Sequence, residues 1–421
     1  MRWEERRSEG EWSGVDQTWV VKTFEGIAQF GKGERGFSRL VFGEAEWAAV
    51  EYVSGLMREV GLRVRMDAFG NVIGRLEGQT PEAPAVATGS HLDTVPEGGN
   101  FDGVVGVVAG LAAIRRLKTR GPLRHPVELI VFRGEESSRF SIATMGSKAM
   151  AGMARPEAWR GLRDLDGVSL AQTLAAGGLD LERIPEAVRR PEEFRAFVEM
   201  HIEQGPVLEE AGIPIGVVEA IAAPTRLKLT VEGMASHSGT TPMGKRVDAL
   251  VSAAQIVLAV QDEAAKRAER KIVGTVGVMK VHPGAMNVVP GRVEMWVDIR
   301  GIDAEAIAAT ARAIREAGAR IADREGTRLR LETLSIDIPV PMDPMIIGAI
   351  ETACRSVGVA YLRMPSGAGH DAMNMAKLAP AGMIFIPCRR GVSHNPDEYA
   401  APEDVLKGID VLTETLAALA S

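Results

Sequence analysis

Residues 127–136 read VELIVFRGEE. The run up to Phe132, bounded by Pro126 and Gly134, is short, apolar and rich in β-branched residues, the pattern of a buried strand. Two adjacent glutamates, Glu135 and Glu136, follow at once. Adjacent carboxylates repel and a strand end does not require them, so the pair needs a reason from elsewhere in the chain.

Upstream, residues 17–29 and 44–60 carry helical periodicity, and Gly61 is a natural stop for the second. Residues 62–78, LRVRMDAFGNVIGRLEG, are strand-like around a turn at Phe69-Gly70-Asn71. A short apolar strand at 85–89 ends in Ser90-His91, and Asp102-Gly103 leads into a helix over 104–117. Strands alternating with helices predict an α/β fold, a mixed, mostly parallel sheet flanked by helices. In such sheets, sites gather beyond the carboxyl ends of strands. His91 and the two glutamates are placed just past such ends. Near residue 222 the texture changes. A strand at 226–232, a helix at 248–266, strands at 275–281 and 292–299, a helix at 304–325 and a strand at 329–336 predict a small α+β insert. After Pro339, a helix over 344–357 and a strand over 382–386 restore the first texture. The expected organisation is a discontinuous main domain, 1–221 plus 334–421, interrupted by an inserted domain, 222–333.

Composition narrows the function classes. With 421 residues, 46% hydrophobic and 25% charged, the chain is long enough for a large core and two domains. A net charge of −7 offers no basic field for nucleic acid. Aromatics at 5% argue against an aromatic binding platform. The N-terminal MRWEERRSEGEW lacks the apolar run of a signal peptide, and the most apolar stretch, 103–114, is too short and glycine-rich to span a bilayer. Cys354 and Cys388 form no CxxC pair, which fits a reducing compartment. The expectation is a cytoplasmic protein with no membrane partner.

The seven histidines can be weighed one by one. His91 lies in GSHLDTVPEGGNFDG, which also carries Asp102; His201 lies in EMHIEQG after an apolar run, and His394 in GVSHNPDEY after another. Imidazole and carboxylate suit divalent zinc, manganese, cobalt or nickel, and one aspartate can bridge two ions. With Glu136, the set is His91, Asp102, Glu136, His201 and His394, with Asp102 between the ions. Each residue alone has a plainer reading: Asp102 as a helix N-cap, Glu136 as a solvated loop charge, each histidine as a hydrogen-bonded surface group. Recurrence past strand ends favours the metal reading without deciding it. On that reading Glu136 binds metal, and Glu135 stays free to take a proton from water and pass it to a leaving nitrogen.

The motifs GSHLDTV, NFDG, GEESSRF, GSKAMAG, HIEQGPVLE, ASHSGTTPM, MNVVPG, DIR, SGAGHDA and SHNPDE, in this order, resemble the hydantoinase/carbamoylase branch of the M20-type metallopeptidase superfamily. The likeness runs from about Gly89 to Glu398. It implies a dizinc exopeptidase-like catalytic domain with a ferredoxin-like inserted dimerisation or lid domain. It places His91, Asp102, Glu136, His201 and His394 on ligand positions and Glu135 on the base. It gives meaning to residues otherwise unplaced. His237 would act in trans, in the partner subunit of a homodimer. Arg300 would take a substrate carboxylate, for which a guanidinium fork is suited. Gln204, Asn287, Gly367, Gly369 and His370 would meet substrate, with Asp371 supporting them. His125 and His282 fall outside these positions and read as structural or surface groups.

The implied reaction is hydrolysis of the ureido C–N bond of an N-carbamoyl-L-amino acid, giving amino acid, ammonia and carbon dioxide. Allantoate amidohydrolase and β-ureidopropionase are rivals with the same chemistry. From another class, a metal-stabilised, non-catalytic dimeric binding protein would leave Glu135 without a use. The small and flexible Ala143, Thr144 and Met145 lean the substrate toward apolar side chains.

Overall fold

The computed structural model describes residues 14–421, so the N-terminal MRWEERRSEGEW lies outside the described residues. The chain forms two compact units. The first comprises the residues up to Glu219 with Met342–Met364 and Gly369–Ser421; the second comprises Ala220–Pro341 and Pro365–Ala368.

The first unit is built on a mixed, mostly parallel sheet. At its centre Val127–Phe132, Ala85–His91, Phe194–Ile202 and Ala381–Ile386 lie side by side and parallel. The hairpin Arg63–Met66/Val72–Leu76 adds antiparallel strands beside Val127–Phe132, and Ile215–Ile221 runs antiparallel beside Ala381–Ile386. Every residue of Ala85–His91 and Val127–Phe132 is buried, as expected of strands covered on both faces. The helix Val104–Thr119 shows why. Its sequence VVGVVAGLAAI is apolar all round, and every residue from Val104 to Ile114 is buried, one side on the sheet and another against Pro402–Ala420. A Cβ at Gly106 would stand 2.3 Å from the Met200 carbonyl oxygen, so this helix reaches its depth only with glycine there. That close approach sets the helix N-terminus against the strand carrying His201.

The expected strands and helices are present, with longer bounds in places. The apolar strand at 85–89 extends through His91, and the run before His201 extends to Phe194–Ile202, so both histidines are strand residues and not loop residues. The strand Ile215–Ile221 and the long helix Pro402–Ala420 were not anticipated.

The second unit is a four-stranded antiparallel sheet in the order Arg328–Ile336, Ala223–Glu232, Arg292–Gly301, Val273–His282. Alternation places Leu227, Leu229 and Val231 with Val293, Met295, Val297 and Ile299 on one face. The helices Ala249–Ala265 and Ala304–Glu325 cover that face through Ile256, Val260, Ile307 and Ile314. The opposite face bears Lys228, Glu294, Asp298 and Arg300, where Lys228 meets Glu294 at 2.9 Å.

One buried ion pair sits directly behind the glutamate pair. Arg133 and Glu46 are both fully buried, joined by a bidentate pair of short hydrogen bonds. The Arg133 guanidinium also lies 4.0 Å from the Trp47 ring centroid and donates to Gly70 O at 3.2 Å. Removing one partner of such a pair leaves an uncompensated buried charge. Glu46→Ala is therefore expected to cost about 3–5 kcal/mol of stability. Denaturant unfolding of the two proteins measures this, and a loss below about 1 kcal/mol would mean that water or a new partner reaches Arg133.

Candidate metal centre and active site

The four central strands point their carboxyl ends the same way, and the residues singled out in the first unit collect there. His91 is the last residue of its strand. Its Nδ1 lies 3.0 Å from the Asp93 carbonyl oxygen and its Nε2 3.5 Å from Asp102 Oδ1. His201 repeats the arrangement, with Nδ1 2.9 Å from Ile202 O and Nε2 3.1 Å from the same Oδ1. With Nδ1–H donated to a carbonyl, each ring turns the Nε2 lone pair inward, the form in which imidazole binds a metal. On the other side of Asp102, His394 Nε2 lies 3.3 Å from Oδ2 and 3.1 Å from Glu136 Oε1.

Two donor groups result: His91, Asp102 and His201, and Asp102, Glu136 and His394. Asp102 belongs to both, one oxygen facing each group. Donors bound at about 2.0–2.1 Å around a tetrahedral ion stand about 3.3–3.4 Å apart. The observed separations of 3.1–3.5 Å fall on that value. The donor chemistry and spacing therefore fit divalent metal.

The electrostatics agree. Burial alone would lower the His91 imidazole, but its hydrogen bond with Asp102 and the charges of Glu135, Asp93 and Asp102 hold it well above its usual value. His201 is raised against burial by Asp102 and Glu199. Hydrogen bonds with Asp102 and Glu136 lift His394 to about 10. Glu135 is pushed well up by burial and by the charges of Glu136, Asp371 and Asp102, against the pull of His91. Acids that draw protons onto His91, His201 and His394 form a site that demands positive charge, which a dication supplies.

Glu135 itself stands outside both donor groups, its Oε2 3.8 Å from His91 Nε2. The pair is split by the backbone that carries it. Asp93 Oδ1 accepts from the Gly134 and Glu135 N–H groups at 3.2 Å, and Oδ2 from Glu136 N–H at 2.9 Å. Asp93, two residues after His91, was not singled out in the sequence, although a carboxylate so near a candidate ligand histidine is a usable signal. Glu398, Ser393 and Glu199 were missed as well. Glu398 Oε1 accepts from the N–H groups of Phe101 (2.8 Å) and Asp102 (3.0 Å), and Ser393 donates to Asp102 Oδ2 at 2.6 Å. Glu199 accepts from Ser90 Oγ and from Ala372 N–H, both at 2.8 Å.

The plainer reading of Asp102 as an N-cap is corrected: Gly103 occupies the N-cap, no side chain caps the helix, and the Asp102 carboxylate faces the imidazoles. Gly103 has φ +65°, and a Cβ there would stand 2.4 Å from the His91 ring. The basis for an apolar substrate in Ala143, Thr144 and Met145 is also corrected at the last two, while Ala143 is exposed. Met145 is buried among Phe42, Phe69 and Phe140, and Thr144 is buried, accepting from Asn374 Nδ2.

Gln204 donates to Asp102 Oδ2 at 2.6 Å, so it braces the shared carboxylate. His370 is buried edge-on against His201, ring centroids 4.6 Å apart. Burial and the charge of His201 hold it well below its usual value, so it stays neutral. It follows Gly369 and precedes Asp371, which accepts from Ser147 Oγ. His125 is buried with Nδ1 2.9 Å from Pro84 O, and His282 Nε2 lies 3.4 Å from Glu294, both away from these groups.

The remaining predicted residues lie in the second unit. His237 is exposed, and its Nδ1 accepts from Gly239 N–H at 3.0 Å and Thr240 N–H at 3.3 Å, which leaves the proton on Nε2. Asn287 is brought beside it, its carbonyl accepting from Ser238 N–H. Arg300 is gripped side-on by Asp298, Nε to Oδ1 at 2.9 Å and Nη2 to Oδ2 at 3.3 Å, while Nη1 donates to Gly367 O at 3.2 Å.

The model of peptidase family M20/M25/M40 matches residues 87–418. An N-carbamoyl-L-amino acid amidohydrolase of Geobacillus stearothermophilus is 44% identical over 91% of this chain and 94% of its own. The allantoate amidohydrolase of Escherichia coli is 36% identical over 95% and 97%. A crystal structure of an amidase of the hydantoinase/carbamoylase family from Burkholderia multivorans superposes with TM-score 0.90 at 36% identity, covering 96% of this chain and 98% of that one.

Asp93→Asn tests the brace behind the glutamates. An amide cannot accept on both of its atoms, so at least one of the three N–H groups loses its partner. Divalent metal affinity should fall about 10–100-fold with an unchanged far-UV spectrum. Equal affinity by metal titration would show that Asp93 does not set the geometry of the pair.

Proposed function

The chain belongs to peptidase family M20/M25/M40, and we propose that it hydrolyses the ureido C–N bond of N-carbamoyl-L-amino acids. Like its named relatives it is a hydrolase acting on amide bonds. The observation that carries the proposal is the division of labour at residues 135 and 136: Glu136 joins a donor group, while Glu135, largely withdrawn from water, belongs to none.

We assign two divalent ions, one to His91, Asp102 and His201, the other to Asp102, Glu136 and His394. Zinc, manganese, cobalt and nickel all suit these donors. Bound there, such ions polarise a carbonyl and acidify water. Glu135 takes the proton of the attacking water and returns it to the departing nitrogen, the work of a carboxylate raised toward neutrality. Loss of the amine leaves a carbamate, which breaks down to ammonia and carbon dioxide. Arg300 holds the substrate carboxylate. Its guanidinium has five N–H donors, three engaged by Asp298 and Gly367, so one remains on each Nη. His237, with Nε2–H outward, donates to the developing oxyanion. We propose that it does so in the partner subunit of a homodimer, with Gln204, Asn287 and the Gly367, Gly369 and His370 segment shaping the substrate's surroundings.

Allantoate is the second reading, favoured by the Escherichia coli relative. No described helix is long and apolar enough to cross a membrane. Two free, buried cysteines support placing the protein in the cytoplasm.

Ammonia release by the metal-free protein reloaded with Mn²⁺, on N-carbamoyl-L-methionine and allantoate in parallel, separates the substrates. Faster turnover of the first is expected; preference for allantoate would transfer the chemistry to that acid. Glu135→Gln should then lower kcat by at least about 100-fold while bound metal stays near two ions per chain. Near-normal turnover would refute the assignment of the base.

A further inference from the structure

The second unit contains a half-open cavity of about 330 Å³ lined by Ala268, Ile272, Val273, Arg300, Ile302 and Pro365 among others. Its wall is mostly apolar, with Arg300, Lys271 and Ser366 as the polar residues lining it. We propose that this cavity receives the side chain of the ureido acid and so selects apolar amino-acid derivatives; this rests on the function proposed above.

Three observations carry the inference. First, Val273 is the register partner of Arg300 across the antiparallel pair of Arg292–Gly301 and Val273–His282. Directly opposed residues share a face with Cβ atoms about 4.5–5.5 Å apart. A carboxylate on the two free Nη–H groups of Arg300 therefore sets its own Cα, and the side chain borne there, beside Val273. Second, Arg300 is fixed before any ligand arrives. Asp298 takes one edge of the guanidinium and Gly367 O takes an Nη1–H, so the fork has one orientation at the cavity rim. Third, Val273 is 60% exposed although it is a large apolar residue beginning an edge strand, and Ala268 is also exposed. Exposed apolar surface around one charged fork is the pattern of a site that orients a ligand by one polar contact and reads the rest by shape.

The size suits the task. A small-ligand site begins at about 300 Å³, enough for a methionine- or phenylalanine-sized group with room to spare. A polar ureido side chain, as in allantoate, would give up water here against a wall that is mostly apolar, with Lys271 and the 365–367 segment as its polar groups beside Arg300.

The test fills the cavity from positions that do not support the core. Ala268→Phe and Val273→Trp both place bulk in it, and both start from exposed residues. The quantity read is the ratio of kcat/KM for N-carbamoyl-L-methionine to that for N-carbamoylglycine, which has no side chain to place. Both variants are expected to lower the ratio about 30-fold relative to the parent. A ratio unchanged within about twofold in either folded variant would overturn the proposal. The parent protein distinguishes the two levels of inference. If it turns over neither carbamoyl compound, the proposed function falls and this specificity falls with it. If it turns over both and the variants keep the parental ratio, only the cavity assignment falls.

Discussion

The structure of the first unit turns on one carboxylate. Asp102 is buried and presents Oδ1 to His91 and His201 and Oδ2 to His394. Three imidazoles hold it well below the usual carboxylate range although burial pulls the other way. Nearby stand Glu135 and Glu136, also largely withdrawn from water. Like charges about 4 Å apart repel by about 4 kcal/mol at an effective dielectric near 20. Such a cluster survives folding only where positive charge is supplied and where the backbone prevents the acids from separating. Glu398 meets the second condition by holding the N–H groups of Phe101 and Asp102, and Asp93 meets it by holding those of residues 134–136. The acids outside the two donor groups fix the backbone of the acids within them.

Parallel topology makes this possible. Adjacent parallel strands end together, so His91, Ile202, Phe132 and Ile386 finish in neighbouring register positions. Each candidate ligand needs only a short excursion from a strand end. The two histidines that make none have their tautomer set by a carbonyl within two residues along the chain. Depth is set from the other side by Gly106, which lets the helix close onto Met200, and by Gly103, whose positive φ turns the chain under the His91 ring.

The alternation of strands and helices and the helix Ala304–Glu325 were legible because they rest on local periodicity, which the sequence carries directly. The helix Pro402–Ala420 carried an equally clear signal, a proline at its start and apolar residues at Val405, Ile409, Leu412, Leu416 and Leu419, and went unread. What could not be read belongs to another class. That Asp93 faces a turn 41 residues away, that Glu398 caps backbone at residue 101, or that Asp298 grips Arg300 depends on tertiary placement. The same holds for the substrate-side expectation at Ala143, Thr144 and Met145. Small and flexible residues line a pocket or fill a core with equal ease, and here Met145 fills a core.

The adjacent glutamates after VELIVFR can now be understood through the arginine between strand and turn. Arg133 lies two residues before Glu135 and would be its natural partner on a simple reading of charge. It faces the opposite way, fully buried against Glu46, Trp47 and Gly70. Burial, His91 and the surrounding acids Glu136, Asp371 and Asp102 are what chiefly shift Glu135. A carboxylate locked to a guanidinium cannot pick up and release a proton near neutral pH, because the fixed charge holds it ionised. By pairing with Arg133, Glu46 settles a buried cation in the aromatic layer and, on the function proposed above, leaves Glu135 free to exchange a proton. A structural demand of the core and a chemical demand of the site are thus met by one side chain turning away.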